Sequence, residues 1–210
     1  MRLVNPALLL LCAAPIAGAQ TIDRCAIRPG TACLSANLRG AALAKTDLTR
    51  ADLSRSDLGG ADLSEARLDR ANLQRVDLQR ANLTQASLDR ASLRGANLNG
   101  ATLVRASASA ADLQGANLGG ADLSNATLTG TSLRYARMGS AKLRGANLER
   151  ADLTGADLRG ADLAEANLQG ARLEKANLEG ADLTGARLEK ATFRGATVQS
   201  CTGCPKPGAQ

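Results

Sequence analysis

The chain of 210 residues contains no histidine. Histidine is the side chain that most often acts as a general base near neutral pH, and it is a common zinc ligand. Its absence excludes Ser-His-Asp and Cys-His nucleophilic catalysis and the usual zinc sites. No other pattern brings a base to a nucleophile, so the sequence predicts a protein that is not an enzyme.

Aromatic residues are almost absent as well. The chain has one tyrosine (Tyr135), one phenylalanine (Phe193) and no tryptophan. Because aromatics bury large areas, a core without them must be filled by leucine and alanine. Their scarcity also disfavours nucleic-acid binding, which draws on stacking as well as positive charge. It leaves no evident platform for a sugar, which argues against paired acids acting as a glycosidase.

A long apolar run occurs only at the N-terminus. Arg2 precedes the apolar stretch 7–16, and Ala17-Gly18-Ala19 has the small-x-small form of a cleavage site. This pattern is typical of a secretory signal peptide over residues 1–19, with Gln20 as the new N-terminus. A buried N-terminal helix is the alternative, since the run is too short to span a bilayer. We expect a periplasmic or secreted protein with no transmembrane segment after cleavage.

The rest of the chain repeats every five residues. From Ala36 onward the motif is A-[DN]-L-x-x, as in Ala51-Asp52-Leu53 and Ala161-Asp162-Leu163. Of the 33 positions at this interval from Leu38 to Val198, 29 are leucine, and alanine stands two residues earlier in 29. No insertion breaks the register, which predicts one continuous repeat domain.

The period of five excludes both regular structures as the main element. In an α-helix, successive leucines would lie about 140° apart and would form no apolar stripe. In a straight strand, an odd period would place successive leucines on opposite faces. A short extended piece followed by a corner satisfies the pattern, with alanine and leucine pointing inward and the Asp or Asn pointing outward. Glycine is frequent in the corners, as at Gly60 and Gly95.

These repeats resemble the pentapeptide-repeat family over residues 36–200. The resemblance implies an all-β fold, a right-handed quadrilateral parallel β-helix with four pentapeptides in each coil. On that basis, 33 repeats make about eight coils and a rod of about 40 Å, at about 4.8 Å per coil. The expected organisation is a signal peptide (1–19), an N-terminal cap segment (20–35), the solenoid (36–200) and a C-terminal tail (201–210).

Four repeats per coil would stack residues that lie 20 positions apart, which lets the charges be sorted by face. The formal net charge is +6, and two adjacent faces carry most of the basic excess. Five arginines are the candidate anion-binding residues, in two neighbouring ladders: Arg50, Arg70 and Arg90, beside Arg55 and Arg75. The alternative is a solvated face in which Asp69 and Asp89 offset the stacked positive charges.

Two other features of the repeat are candidate sites, the stacked carboxylates and Ala108. Stacked carboxylates such as Asp57 with Asp77 and Asp162 with Asp182 could hold calcium, but the Asp or Asn position is explained by the turn that follows it. We therefore expect no metal and no cofactor. Ala108 is the one small residue in the leucine column, and it predicts a local cavity or a pinched coil.

Four cysteines remain after signal cleavage, and an even number in an exported chain suggests disulfides. Cys25 and Cys33 precede the first coil, while Cys201 and Cys204 follow the last one. Because the rod would hold the two pairs about 40 Å apart and a disulfide needs Cα atoms within about 7 Å, we expect Cys25–Cys33 and Cys201–Cys204. A redox role for the Cys201-x-x-Cys204 motif stays open beside the structural one.

Two functions follow as expectations. The first is an exported, non-enzymatic scaffold or protein-interaction module, possessing a weak anion-binding surface, whose partner is a protein or an anionic polymer of the cell envelope and not a specific nucleic acid. The second, implied by the family resemblance, is a DNA-mimicking inhibitor or protector of a type II topoisomerase. The basic charge, the leucine core and the signal segment count against the second.

Overall fold

The computed structural model describes residues 21–205, so the segment 1–19 and its cleavage site lie outside the described residues. Two short strands open this region, β1 (Thr21–Ile22) and β2 (Cys25–Ala26). They form an antiparallel hairpin in which Ile22 pairs with Cys25. Residues 21–205 contain no helix, and hence no apolar helix of membrane-spanning length.

After the hairpin, the chain pairs with itself through parallel bridges between residues 20 positions apart. The first bridge joins Ala32 to Asp52, and the last joins Asp182 to Thr202. The ladder therefore begins slightly before residue 36, where the repeat was expected to start. Twenty residues are four pentapeptides, so each repeat lies above the fourth one before it, about 4.8 Å away.

The backbone of each repeat bonds to the coils on both sides. In the repeat 51–55, the Leu53 N–H donates to the Asn72 carbonyl at 2.9 Å, and the Arg55 N–H donates to the Gln74 carbonyl at 3.0 Å. The Asp52 N–H donates the other way, to the Thr31 carbonyl at 2.7 Å. These bonds recur along the ladder. Backbone N–H and C=O groups therefore find partners in the adjoining coils, although each pentapeptide contributes only one bridged residue.

Each corner is a β-turn. The Ala51 N–H donates to the Leu48 carbonyl at 3.0 Å, and Arg50, the third residue of this turn, has a φ of 58°. A positive φ at that position is what a type II turn requires. The outward Asp also supports the corner, since Asp52 Oδ1 accepts the Ser54 N–H at 3.0 Å. A short carboxylate or amide that bonds two residues onward explains why Asp and Asn recur in the motif.

Leucine and alanine fill the interior, as the repeat predicts. The leucines from Leu38 to Leu183 are almost completely buried, and so are most of the alanines beside them. Fully burying a leucine is worth about 1.5–3 kcal/mol, so a ladder of leucines can stabilise a core that lacks aromatics.

The ladder continues without interruption at Ala108. The Ala108 N–H donates to the Thr127 carbonyl at 2.8 Å, as at leucine positions. The Thr131 hydroxyl, buried in place of the usual alanine, donates to the Ala108 carbonyl at 2.7 Å. The backbone hydrogen bonds of the coil are therefore kept at Ala108, and the local cavity expected there stays a prediction.

The two ends of the described chain differ. At the N-terminal end, the hairpin and Cys33 join the buried core. At the C-terminal end, Leu188, Phe193 and Val198 occupy leucine-column positions but are only partly buried. Removing a side chain should therefore cost less stability in the last coil than in the middle.

Candidate anion-binding face

Five exposed arginines lie along two neighbouring corners of the coil stack, and we call them the arginine face: Arg50, Arg70 and Arg90 on one corner, Arg55 and Arg75 on the next. Each is the third residue of its turn. Because the ladder stacks residues 20 apart, successive arginines of one corner are about 4.8 Å apart along the stack. The two ladders predicted from the sequence thus lie side by side.

All five arginines have a left-handed backbone conformation, with φ between 55° and 60°. Glycine adopts this conformation freely, whereas a residue with a Cβ atom pays about 1–2 kcal/mol. The sequence analysis expected glycine at such corners, and Gly60 and Gly100 follow that expectation. The five arginines share this strain with other non-glycine corners such as Ala110 and Ser140, and the turn directs each guanidinium outward.

The five arginines have no partner within residues 21–205: none forms an ion pair or a side-chain hydrogen bond. Other basic residues do pair, including Arg67 with Asp47 at 2.9 Å and Arg94 with Asp112 at 3.2 Å. The positive charge of the face is therefore available to an external anion.

The two carboxylates expected to offset this charge, those of Asp69 and Asp89, accept hydrogen bonds from residues of the next coil. Asp69 accepts hydrogen bonds from the Ser87 hydroxyl and the Asp89 N–H. Asp89 accepts the Ser107 hydroxyl at 2.6 Å and the Ser109 N–H at 2.8 Å. These two carboxylates therefore form no ion pair with the five arginines, although their negative charge still lies beside the face. Whether the face binds an anion or is only solvated stays a prediction.

One carboxylate lies between the two corners, on the floor of the arginine face. Burial alone would raise the pKa of Asp52, but the Ser54 hydroxyl and N–H and the Asn72 amide outweigh it and lower this pKa. The Asn72 amide donates to Asp52 Oδ1 at 3.1 Å. Asp52 stays ionised at neutral pH, and its Oδ1 accepts hydrogen bonds from Ser54 and Asn72 on the same face.

Two surface grooves adjoin these corners. One lies along the first corner and is lined by Pro29, Gly30, Asp47, Thr49, Arg50, Arg67, Asp69 and Arg70. The other lies along the second corner and is lined by Leu34, Ser35, Ser54, Arg55, Asn72, Gln74 and Arg75. Four of the five arginines thus line grooves at the N-terminal end of the ladder, where a ligand could contact more than one of them.

Comparison with known protein families matches the family described as Pentapeptide repeats, in eight copies, over residues 33–70, 71–107, 109–145, 132–170 and 161–199. The chain belongs to the pentapeptide repeat family. Members of this family fold as right-handed quadrilateral β-helices, and the bridges between residues 20 apart agree with that architecture.

Solved pentapeptide repeat proteins resemble this one to different degrees. HetL of the cyanobacterium Nostoc sp. strain PCC 7120 is 38% identical, over 80% of this chain and 89% of HetL, with a TM-score of 0.39. QnrB1, a plasmid-mediated fluoroquinolone resistance protein, is 20% identical, over 77% of this chain and 88% of its own, with a TM-score of 0.56. The likeness to QnrB1 supports the fold alone. Curated proteins give no match.

The pentapeptide repeat structure also places the other candidate residues. Cys25 is bonded to Cys33 and Cys201 to Cys204, with Cα–Cα distances of 5.2 and 5.7 Å. The stacked carboxylates, Asp57 with Asp77 and Asp162 with Asp182, lie on paired residues of successive coils as expected. In each of them, one carboxylate oxygen already accepts the N–H of the residue two positions later. Residues 21–205 contain no group of three or more side chains that could hold a metal.

One exposed residue of this surface was missed from the sequence. Tyr135 stands on the same corner as Arg55 and Arg75, and 56% of its surface is exposed. The Arg134 guanidinium lies 5.5 Å from the centre of its ring. The signal was available, since position 135 differs from positions 55 and 75 by multiples of 20.

The strain at the arginine face gives a direct prediction. Arg70→Gly should raise the free energy of unfolding by about 0.5–1 kcal/mol, because the left-handed penalty exceeds the extra entropy that glycine has in the unfolded chain. Arg70→Gln is the matched control, since it removes the charge and keeps the Cβ atom. Urea unfolding followed by circular dichroism measures both, and equal stabilities of the two variants would contradict the prediction.

Proposed function

We propose that this pentapeptide repeat protein is an exported, non-enzymatic scaffold, a rod of about eight coils, that binds an anionic partner through the arginine face. The partner is a protein or a polymer of the cell envelope. One observation carries the proposal: five exposed arginines lie together on two neighbouring corners, four of them line surface grooves, and none forms an ion pair within residues 21–205.

Two features support export. The N-terminal pattern of Arg2, an apolar run and Ala17-Gly18-Ala19 has the form of a signal peptide. The cysteines outside that segment lie in two bonded pairs, and disulfides persist in oxidising compartments such as the periplasm or the exterior. Both features agree with a periplasmic or secreted protein.

The DNA-mimicking alternative has less support. A mimic of DNA must present negative charge along the rod, whereas this chain has a net charge of +6 and an arginine face without ion pairs among residues 21–205. We expect no effect of the purified protein on supercoiling by a type II topoisomerase, and inhibition or protection there would favour the alternative.

Location and binding test the proposal together. Cell fractionation should find the protein in the periplasm or medium, and its intact mass should correspond to cleavage after Ala19. The mature protein should bind polygalacturonate at low salt and release it as salt rises, because exposed charges are screened over about 8–10 Å at physiological ionic strength. A cytosolic product that retains Met1, or the absence of polyanion binding at low salt, would contradict it.

A further inference from the structure

The corner that carries Arg55 and Arg75 continues along the rod to Tyr135. Its successive residues are Arg55, Arg75, Gly95, Gly115 and Tyr135. The distance from the first to the last is four coil spacings, or about 19 Å. Two arginines therefore lie at the N-terminal end of this corner, and the only tyrosine of the protein lies three coils beyond Arg75. The corner continues past Tyr135 to Gly155 and the exposed Lys175.

Side chains on these corners lean towards the next coil. A Cβ atom placed on Gly95 would lie 3.8 Å from Arg75 Cγ, and one placed on Gly155 would lie 2.6 Å from two ring atoms of Tyr135. The ring of Tyr135 therefore packs over Gly155, on the side away from the arginines. A substitution at Gly155 would push this ring from its place.

The space between Arg75 and Tyr135 is open. A Cβ atom on Gly115 would meet nothing within 4 Å, and Gly95 contributes no side chain either. The side chain of Gln114 borders this glycine gap, and its amide has no hydrogen-bond partner among residues 21–205. The gap is therefore a stretch of open surface without side chains on the corner, with a polar group at its edge.

The neighbouring basic groups do not extend the charge into the gap. Arg94 pairs with Asp112 at 3.2 Å, and Arg134 pairs with Asp152 at 3.0 Å. Hydrogen bonding and the charge of Asp152 raise the pKa of Arg134 and keep this pair ionised. A ligand on this corner thus meets positive charge at Arg55 and Arg75, then an uncharged stretch without side chains, and then an aromatic ring, with Lys175 two coils beyond it.

We infer that the corner from Arg55 to Tyr135 binds a linear acidic polysaccharide, such as a polyuronate, lying along the stacking direction of the coils. This inference rests on the proposed function, since it names the ligand of the arginine face. Guanidinium groups bind carboxylates through paired donors. The tyrosine ring offers a flat apolar surface with a polar tip, to which the C–H face and the hydroxyls of a sugar are complementary.

Two features favour a sugar polymer over other polyanions. The arginines of one corner are about one coil apart, 4.8 Å, which is close to the advance of an extended sugar chain per residue. Duplex DNA carries a charge about every 1.7 Å along its axis, far denser than this ladder. Polyphosphate has no apolar face to pack on Tyr135. A ligand that uses the whole corner therefore needs spaced charges and an apolar surface together.

Tyrosine fluorescence reports this site alone, because Tyr135 is the only tyrosine and tryptophan is absent. We would titrate the mature protein at low salt with oligogalacturonates of increasing length, with polyphosphate as the comparison anion. Calorimetry would give the affinities. Short oligomers should bind at the arginines without changing the fluorescence. Oligomers long enough to span about 19 Å should change the fluorescence and bind on the order of tenfold more tightly.

Variants separate the stacking from the charge. Tyr135→Ala should remove the tenfold gain of the long oligomers and leave the short ones unchanged, whereas Tyr135→Phe should keep the gain. Gly115→Asn should weaken binding of the long oligomers, because it places a side chain on the open surface between Arg75 and Tyr135. Gly120→Asn is its control, because Gly120 has a similar φ and equally open surroundings on the next corner.

The outcomes distinguish this inference from the proposed function. If polyphosphate binds as tightly as the long oligomers, or if Tyr135→Ala leaves their affinity unchanged, the inference is overturned while the arginine face stands. If neither anion binds at low salt, the proposed function fails as well. Loss of the length dependence in Gly115→Asn but not in Gly120→Asn supports the path along this corner.

Discussion

We expect Leu118→Ala to lower the free energy of unfolding by about 3 kcal/mol. Leu118 is completely buried in the middle of the rod, between Leu98 and Met138 of the adjoining coils. Truncating a buried leucine loses transfer free energy and leaves a cavity, which together cost about 2–5 kcal/mol. The coils above and below are fixed by the ladder, so the cavity has little freedom to collapse.

Leu188→Ala is the matched control. It makes the same substitution in the same repeat position, but Leu188 lies in the last coil and is only partly buried. Its expected cost is about 1 kcal/mol, since less area leaves water and the neighbouring coil is missing on one side. Urea unfolding with a check on the slope measures both variants. Equal costs at the two positions would contradict the core described above.

The second large effect is expected at the N-terminal disulfide. Replacing Cys25 and Cys33 together by alanine should lower the free energy of unfolding by about 2.5 kcal/mol, from the closure of a loop with a sequence separation of 8. Both cysteines are part of the core, at 2% and 5% exposure. Loss of the link would also loosen the hairpin that covers the first coil.

The C-terminal pair supplies the comparison. Cys201 and Cys204 close a shorter loop, with a sequence separation of 3, and the same entropy argument gives about 2 kcal/mol. Their alanine double variant should therefore lose less stability than the N-terminal one. Reductant should destabilise the wild type and leave a variant without all four cysteines unaffected. A wild type whose unfolding ignores reductant would contradict the stabilising role of both links.

The repeat fold could be predicted because one interval governs the chain. The five-residue period specifies which side chains point inward, and Leu53 and Ala51 are buried accordingly. The number of repeats per coil came from the family resemblance, since the period alone leaves it open. Once the 20-residue register is known, it places Arg50 above Arg70 without further information.

The electrostatics of the face were less predictable. Sequence stacking put Asp69 beside the arginines, but the Ser87 hydroxyl and the Asp89 N–H take up its oxygen. The donor that reaches a carboxylate depends on how far each side chain extends across the spacing between coils. The 20-residue register does not specify these side-chain conformations. Tyr135 was not considered as a surface residue, although its corner position follows from the same 20-residue register and explains its exposure.

The central claim is that the position of the free arginines, and not the charge alone, creates the binding surface. Arg80 and Arg105 provide the matched control, because they share the left-handed corner conformation and the lack of an ion pair but lie on the other two corners. The measurement is polygalacturonate affinity at low salt for Arg55→Gln with Arg75→Gln, against Arg80→Gln with Arg105→Gln. We expect about a tenfold loss for the first pair and less than about twofold for the second. Equal losses would show that only net charge matters and would contradict the arginine face.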